Sequence, residues 1–433
     1  MTPETVGIIG IAALLILIFS RMPVGFVMAL VGFVGFGSLV NFNAALNLIA
    51  RDVFDVFGSY NLTVIPLFVL MGQLAFHSGI SSRLFDAAYK FIGHLPGGLA
   101  MASIGACAGF SAICGSTNAT AATMAAAALP EMKRYGYKPG LATGVVAAGG
   151  SLGILIPPSV IFIVYGIMTQ QSIGKLFVAG ILPGILLTLL FMATIALWVT
   201  LKPELAPKGP RFTLREKIAS LSGLVETLIL FIIIMGGLFV GFFTPTEAGA
   251  VGAFATLAIA VVRRQIDWKG FTAALVESTR ISCMILVIVM GATIFGHFLA
   301  VTRIPFEIAG WISGLKLSSW MIMMFIILAY LVGGCLIDSL ALIMLTVPIF
   351  FPVVNHLGYD PIWFGVVIVL ITQIGVITPP VGINVYVVSG VARDVPLGVI
   401  FRGVLPLLAA LVVGTFLLIP FPQIALFLPA LMK

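Results

Sequence analysis

Ser116, Thr117 and Asn118 stand together where a long apolar stretch, Leu99 to Leu129, is interrupted after Gly115, and Asp338 and Ser339 interrupt another between Trp320 and Phe351. Hydroxyls, an amide and a carboxylate are hard oxygen donors, suited to an alkali or alkaline-earth cation rather than to a softer metal. Two further apolar runs are broken by paired prolines, at Gly149 to Pro158 (GGSLGILIPP) and at Gly375 to Pro380 (GVITPP). Proline has no N–H to donate and clashes with the preceding turn, so each break frees backbone carbonyls. Lipid cannot satisfy such groups, and breaks of this kind survive only around a protein-lined or watery cavity. The pattern predicts two cation sites, each built from a turn between apolar limbs and a double-proline break. The first takes Ser116, Thr117 and Asn118 with Gly153 and Pro157; the second takes Asp338 and Ser339 with Gly375, Thr378, Pro379 and, just beyond, Asn384. Na+ is the ion expected, with Ser116, Asn118, Gly153, Asp338, Gly375 and Thr378 as its contacts. No other cofactor is expected.

Each of these residues also has a structural reading. Ser, Thr, Asn and Asp cap helices well, so Ser116, Thr117, Asn118 and Asp338 could serve only the helix that follows them. Gly153 and Pro157 could form a plain kink, and Asn384 could bond a neighbouring helix. An acid between apolar limbs is costly, which favours function for Asp338. Glu247 falls the other way: Thr244, Pro245, Thr246 and Glu247 read as a capping box with proline at the first helical position. Gln73 lies within a span and faces either a cavity or a helix.

The elements that must hold these turns are membrane helices. Of 433 residues 61% are hydrophobic and only 9% charged, far below the roughly 25% charged of a soluble domain. Apolar runs recur from Val6 to Ser20, Val24 to Val40, Ile218 to Phe243 and Leu405 to Ile419, so the whole chain is one polytopic unit in a lipid bilayer. The first run lacks a basic leader and reads as a transmembrane helix. The net charge of +7 sits in short loops, where it orients the protein rather than binding nucleic acid. Four cysteines and four histidines have no metal-ligand spacing. HExxH and P-loop patterns are absent, which argues against an enzyme and against an ATP-driven pump.

A shift of 222 positions lays the second half on the first. Pro23, Pro130, Gly136, Tyr137, Pro139, Gly153, Pro157 and Pro158 meet Pro245, Pro352, Gly358, Tyr359, Pro361, Gly375, Pro379 and Pro380. Coincident breakers mean one sequence of bends occurring twice. Arg263, Arg264 and Lys269 have no basic counterpart near Asn41, Asn43 and Asn47, while Lys133, Arg134 and Lys138 have none near Asn355, His356 and Asp360. If basic loops are cytoplasmic, the copies are inverted. The threading is a first repeat over 1–201, a cytoplasmic linker over 202–217 and a second repeat over 218–433, with both termini periplasmic. Each repeat holds a re-entrant hairpin, with limbs too short for a hydrocarbon core of roughly 30 Å, and a Pro-Pro-broken helix.

On these residues the chain resembles the large membrane subunit of the tripartite ATP-independent periplasmic (TRAP) transporters, the DctM-like family. The resemblance covers essentially the whole chain. It is carried by CGSTNATAATMAAAALPEM, by LGILIPPS with its mate IGVITPPVGIN, by FTPTEAGAVGA, and by CLIDSLALIMLTVPIFFPV. It implies an all-α, elevator-type transporter of the bacterial inner membrane that couples Na+ to uptake of an organic acid such as a dicarboxylate or a sialic acid. It also implies a small four-helix membrane subunit and a periplasmic substrate-binding protein as partners. The competing reading is a stand-alone organic-anion symporter or ion antiporter of related fold.

Overall fold

A computed structural model describes residues 2–20, 22–314 and 317–432, and among these all regular structure is helical. The first half runs α1 Pro3–Phe19, α2 Val24–Leu39, α3 Phe42–Phe57, α4 Val64–His77, α5 Ile80–Ile92, α6 Gly98–Cys114, α7 Thr117–Arg134, α8 Pro139–Ser151, α9 Val160–Thr169 and α10 Ile173–Leu201. The second runs α11 Leu214–Val240, α12 Pro245–Val262, α13 Trp268–Thr302, α14 Ile304–Gly314, α15 Ser319–Gly334, α16 Ser339–His356, α17 Pro361–Ile377, α18 Ile383–Val391, α19 Leu397–Leu418 and α20 Gln423–Ala430. Among the described residues seven segments are long and apolar enough to cross a membrane, and seven more helices of 10–17 residues are apolar.

Helix bounds recur at the 222 offset. Adding 222 to Thr117–Arg134 gives 339–356, the bounds of α16, and adding it to α8 with its terminal turn, 139–154, gives 361–376 against 361–377 for α17. Packing is reciprocal as well: α2 lies along α13 as α12 lies along α4, and α7 meets α18 as α16 meets α9.

One departure has a local cause. In the first half α3 and α4 are separate, with a single 3-10 turn, Tyr60–Thr63, between them; the second half crosses the same stretch as the unbroken 35-residue α13. Gly58 caps α3, and Pro66 sits in the first turn of α4, where its missing N–H is tolerated. At the matching places stand Arg280 and Ile288, which let the helix continue. The freed α3 buries Ala45, Asp52 and Val56 while exposing Phe42, Leu46, Phe54 and Phe57. It is an amphipathic helix that the apolar-run reading passed over, and α5 was passed over for the same reason.

Two expected bounds move. The interval between the halves is shorter than 202–217, because Thr213 and Glu216 close a capping box that starts α11 at Leu214. The first hairpin is longer than expected: its limbs have 17 and 18 residues, about 26 and 27 Å at 1.5 Å per residue. The helix carries on through Pro130 into a last turn with Lys133 and Arg134, which an apolar-run count leaves out. The capping box at Thr244 and Glu247 is present as expected, with Pro245 at the first helical position.

Candidate functional site

The chain turns at Gly115, whose φ of +65° suits glycine, and α7 starts with Ser116 as its N-cap, the Oγ accepting from the Ala119 N–H at 3.4 Å. The first double-proline break lies directly against this tip. A Cβ on Gly153 would stand 2.5 Å from the Ser116 carbonyl oxygen and 2.9 Å from the Thr117 nitrogen, and one on Gly115 would meet the Pro158 carbonyl oxygen at 2.5 Å. Only glycine allows this approach of backbone to backbone. Ser159 holds the break in shape, donating to the Ile154 carbonyl at 2.7 Å and capping α9. Among the described residues, the Ile156, Pro157 and Pro158 carbonyls accept no hydrogen bond.

Thr117 is tied to the second half. Its hydroxyl donates to Asn384 Oδ1 at 2.8 Å, and Asn384 Nδ2 donates to the Ala147 carbonyl at 3.0 Å. Asn384 is fully buried, so its amide is a clasp joining the first hairpin, α8 and α18, and the neighbouring-helix reading of this residue is the one observed. Thr117 thereby spends its proton on protein.

The second tip is built differently. Asp338 caps α16 through Oδ2, which accepts from the Leu340 N–H at 3.0 Å, and its side chain stays accessible. Ser339 is 3% exposed and its Oγ has no hydrogen-bond partner. Gly375 does not lie on this tip; its α-carbon faces Gly334 at the end of α15. Thr378 donates its hydroxyl to the Ile374 carbonyl, and Pro379 is exposed, unlike buried Pro157. The position matching Ser159 is Val381, which has no hydroxyl to hold the turn.

The two tips converge on one cavity of about 110 Å³. Ser116, Thr117, Asn118, Asp338 and Ser339 line it, with Ile154, Val160 and Ile161 from the first break, Gln73 from α4, and Ile281, Met284 and Ile285 from α13. A larger space of about 690 Å³ continues from it past Gln73, Ser116, Asn118, Ile281 and Met284 to Phe76, His77, Glu277 and Arg280. Gly153, Pro157, Gly375, Thr378, Pro379 and Asn384 are not on either wall, although Gly153 packs directly on the first tip. Sequence spacing therefore brought the tips and the first break together correctly but placed the second break too close. It undervalued Gln73 and missed the α13 wall, whose only signal was the pair Glu277 and Arg280 within an otherwise apolar helix. Among the described residues no three His, Cys, Asp or Glu side chains gather, so a transition-metal centre has no donor set here.

A many-helix membrane chain with broken helices and two hairpin tips that meet at one cavity has the architecture of a transporter permease, a multi-pass protein of the inner membrane. The family model described as tripartite ATP-independent periplasmic transporter, DctM component, matches residues 11–424. The chain is 39% identical over 382 residues to the C4-dicarboxylate TRAP transporter large permease protein DctM of Pseudomonas aeruginosa, covering 88% of this chain and 89% of that one. It is 36% identical over 416 residues to the sialic acid TRAP transporter large permease protein SiaM of Vibrio cholerae, covering 96% of each. Among solved structures it shares its fold with the Alcanivorax borkumensis YdaH transporter, at a TM-score of 0.64 and 16% identity over 91% of each chain. The protein belongs to the DctM family of TRAP transporter large permeases.

Proposed function

We propose that this permease takes up an organic acid with Na+ as the coupling ion, receiving it from a periplasmic binding protein while a small membrane subunit packs on its outer helices. The observation that carries the reading is the shared cavity, where Asp338 and the unpartnered Ser339 hydroxyl face a first tip of Ser116 and Asn118. Na+ as cargo is held by hard oxygens: the Ser116 hydroxyl and the Asn118 amide on one side, the Asp338 carboxylate on the other. The acid's carboxylate lies at the N-terminal ends of α7 and α16, where unpaired N–H groups and the helix dipoles favour negative charge. Relatives named for a C4-dicarboxylate and for a sialic acid share a carboxylate and little else, in keeping with a site that reads that group through backbone and small hydroxyls.

The halves are inverted in this reading, with the elevator movement that the resemblance implies. Orientation is supported by how the basic segments gather on one face. The Lys138 N–H donates to Leu205 in the inter-half segment, the Gly209 N–H donates to Gly93 before α6, and Arg83 and Arg263 both meet Glu226. Under the positive-inside rule that face is cytoplasmic and the termini are periplasmic.

The test is reconstitution with the candidate binding protein and small subunit. Labelled succinate and N-acetylneuraminate are offered under an inward Na+ gradient, with K+ as control. Uptake of an acid that needs Na+ and the binding protein is expected. Uptake unchanged in K+ removes the coupling assignment, and uptake without the small subunit favours a stand-alone symporter.

A further inference from the structure

The larger space beyond the tips has an apolar wall, with Phe76, Ala119, Ala122, Ala273 and Met284, and one permanent cation among its described lining residues, Arg280. We infer that Arg280 is a carboxylate-binding residue of α13, a waystation for the acid between the tips and the face that carries the basic loops; this rests on the organic-acid reading above.

Arg280 is the thirteenth residue of a 35-residue helix, about 18 Å from its start at 1.5 Å per residue. At about 52 Å the whole helix outruns a hydrocarbon core of roughly 30 Å, and a charge within that core is costly unless it faces a cavity or a counter-ion, or reaches the lipid headgroups. Its side chain is exposed, and among the described residues it makes no ion pair, although Glu277 lies three residues earlier on the same helix face, where such pairs form easily. The guanidinium is left as an open fork of donors, the geometry that takes a carboxylate by two parallel hydrogen bonds. Apolar neighbours reduce solvent screening around it. The tip cavity holds no cation of its own, and the two spaces share Met284, one turn along α13 from Arg280. An acid moving from the tips along this space passes Arg280. Glu277, beyond Arg280 from the tips, gives the guanidinium an alternative partner once the acid has gone.

The test reads charge at the cavity wall without needing transport. A Met284→Cys protein, with exposed Cys283 changed to Ser, is reacted in proteoliposomes with an anionic sulfonatoethyl and a cationic trimethylammonioethyl methanethiosulfonate. Arg280→Gln should lower the anion-to-cation rate ratio about fivefold or more, since one unit charge acts within about one helical turn. Arg280→Lys should keep most of the ratio, and Glu277→Gln should raise it. In uptake of whichever of labelled succinate or N-acetylneuraminate the wild-type protein carries, Arg280→Gln should raise KM about tenfold, with Arg280→Lys between the two. An unchanged rate ratio overturns the proposal, as expected if Arg280 reaches the lipid headgroups instead. A lowered ratio with unchanged KM also overturns it, leaving a cation without a binding role. If neither acid is carried, the rate ratio alone decides, and an unchanged ratio overturns the proposal.

Discussion

Gly153 offers the sharpest test of whether the first tip and the first break form one site. A Cβ added there meets three backbone atoms: the Ser116 oxygen at 2.5 Å, the Ser116 carbonyl carbon at 2.7 Å and the Thr117 nitrogen at 2.9 Å. A Cβ essentially never sits closer than 3.0 Å to another heavy atom, so Gly153→Ala must drive tip and break apart by at least about 0.5 Å. Backbone cannot swing aside as a side-chain end can. Overpacking of this kind costs about 1–3 kcal/mol, and Gly153 lies in a short 3-10 turn, where alanine's helix preference offsets little of it. A hard cation holds its oxygens within a few tenths of an ångström, so separating two halves of a shell by this much should cost affinity heavily. We expect a lower melting temperature and a Na+ concentration for half-maximal uptake raised at least tenfold. Gly109→Ala is the control on the same hairpin. Its Cβ would meet only Leu84 side-chain atoms, at 3.5 and 3.6 Å, so it should be neutral or stabilising by up to about 1 kcal/mol. The assays are thermal unfolding of the purified protein and Na+ titration of uptake in proteoliposomes. Destabilisation with unchanged Na+ dependence would refute the ion site and leave only a packing contact. Wild-type behaviour in both assays would refute the contact itself.

Asp338→Asn keeps a capping oxygen and loses the charge, so folding and insertion should persist while uptake falls at least tenfold and the Na+ requirement rises; wild-type uptake would reduce Asp338 to a cap. Glu226 is 4% exposed and holds Arg83 by a 2.8 Å hydrogen bond, with Arg263 at 2.7 Å off the hydrogen-bond line as a second counter-charge. Glu226→Gln should destabilise by about 3 kcal/mol, because two guanidinium groups lose their anion; an unaltered melting temperature would show that the cluster anchors nothing. For orientation, single cysteines at Lys208 and Arg264 should be shielded from an impermeant thiol reagent in spheroplasts, whereas those at Asn43 and Asp360 should label. Equal labelling of Arg264 and Asn43 would end the inverted reading.

What was legible in the sequence is what backbone punctuation controls. Gly115, Gly153, Pro157 and Pro158 fix where helices stop, and the tip and break they define do meet. Their counterparts mark the same bounds 222 residues later, since proline and glycine act on φ, ψ and donors whatever surrounds them. Thr213 with Glu216 and Thr244 with Glu247 were equally readable from spacing, although the first was absorbed into a linker because its polarity outweighed its capping pattern. Amphipathic α3 and α5 escaped because a search for apolar runs is blind to helices with one wet face. The α13 wall escaped for another reason. Which residues of a long helix face a cavity depends on the neighbours it packs against, and beyond the charged pair Glu277 and Arg280 no local pattern in Ile281 or Met284 reports that.

The second break was misplaced because matching backbones need not carry matching side chains. Three pairs of positions separated by 222 decide how firmly each tip is held. Thr117 has an amide partner in Asn384, whereas Ser339 has none, because the position matching Asn384 is the buried phenyl ring of Phe162. Ser159 bonds across the first break, whereas Val381 cannot. Ser116 is neutral, whereas Asp338 brings a full charge. All three differences act in one direction. The first tip is locked by hydrogen bonds and offers only dipoles, while the second keeps its hydroxyl and one carboxylate oxygen uncommitted beside the cavity. A buried hydroxyl without a partner is costly, so a ligand that supplies one is bound more tightly for it. Under the function proposed above, cargo entering the cavity gains more from the second tip than from the first. A fold built twice from one plan therefore offers a rigid wall facing a receptive one, and the difference lies in side chains that the shared breakers leave free to vary.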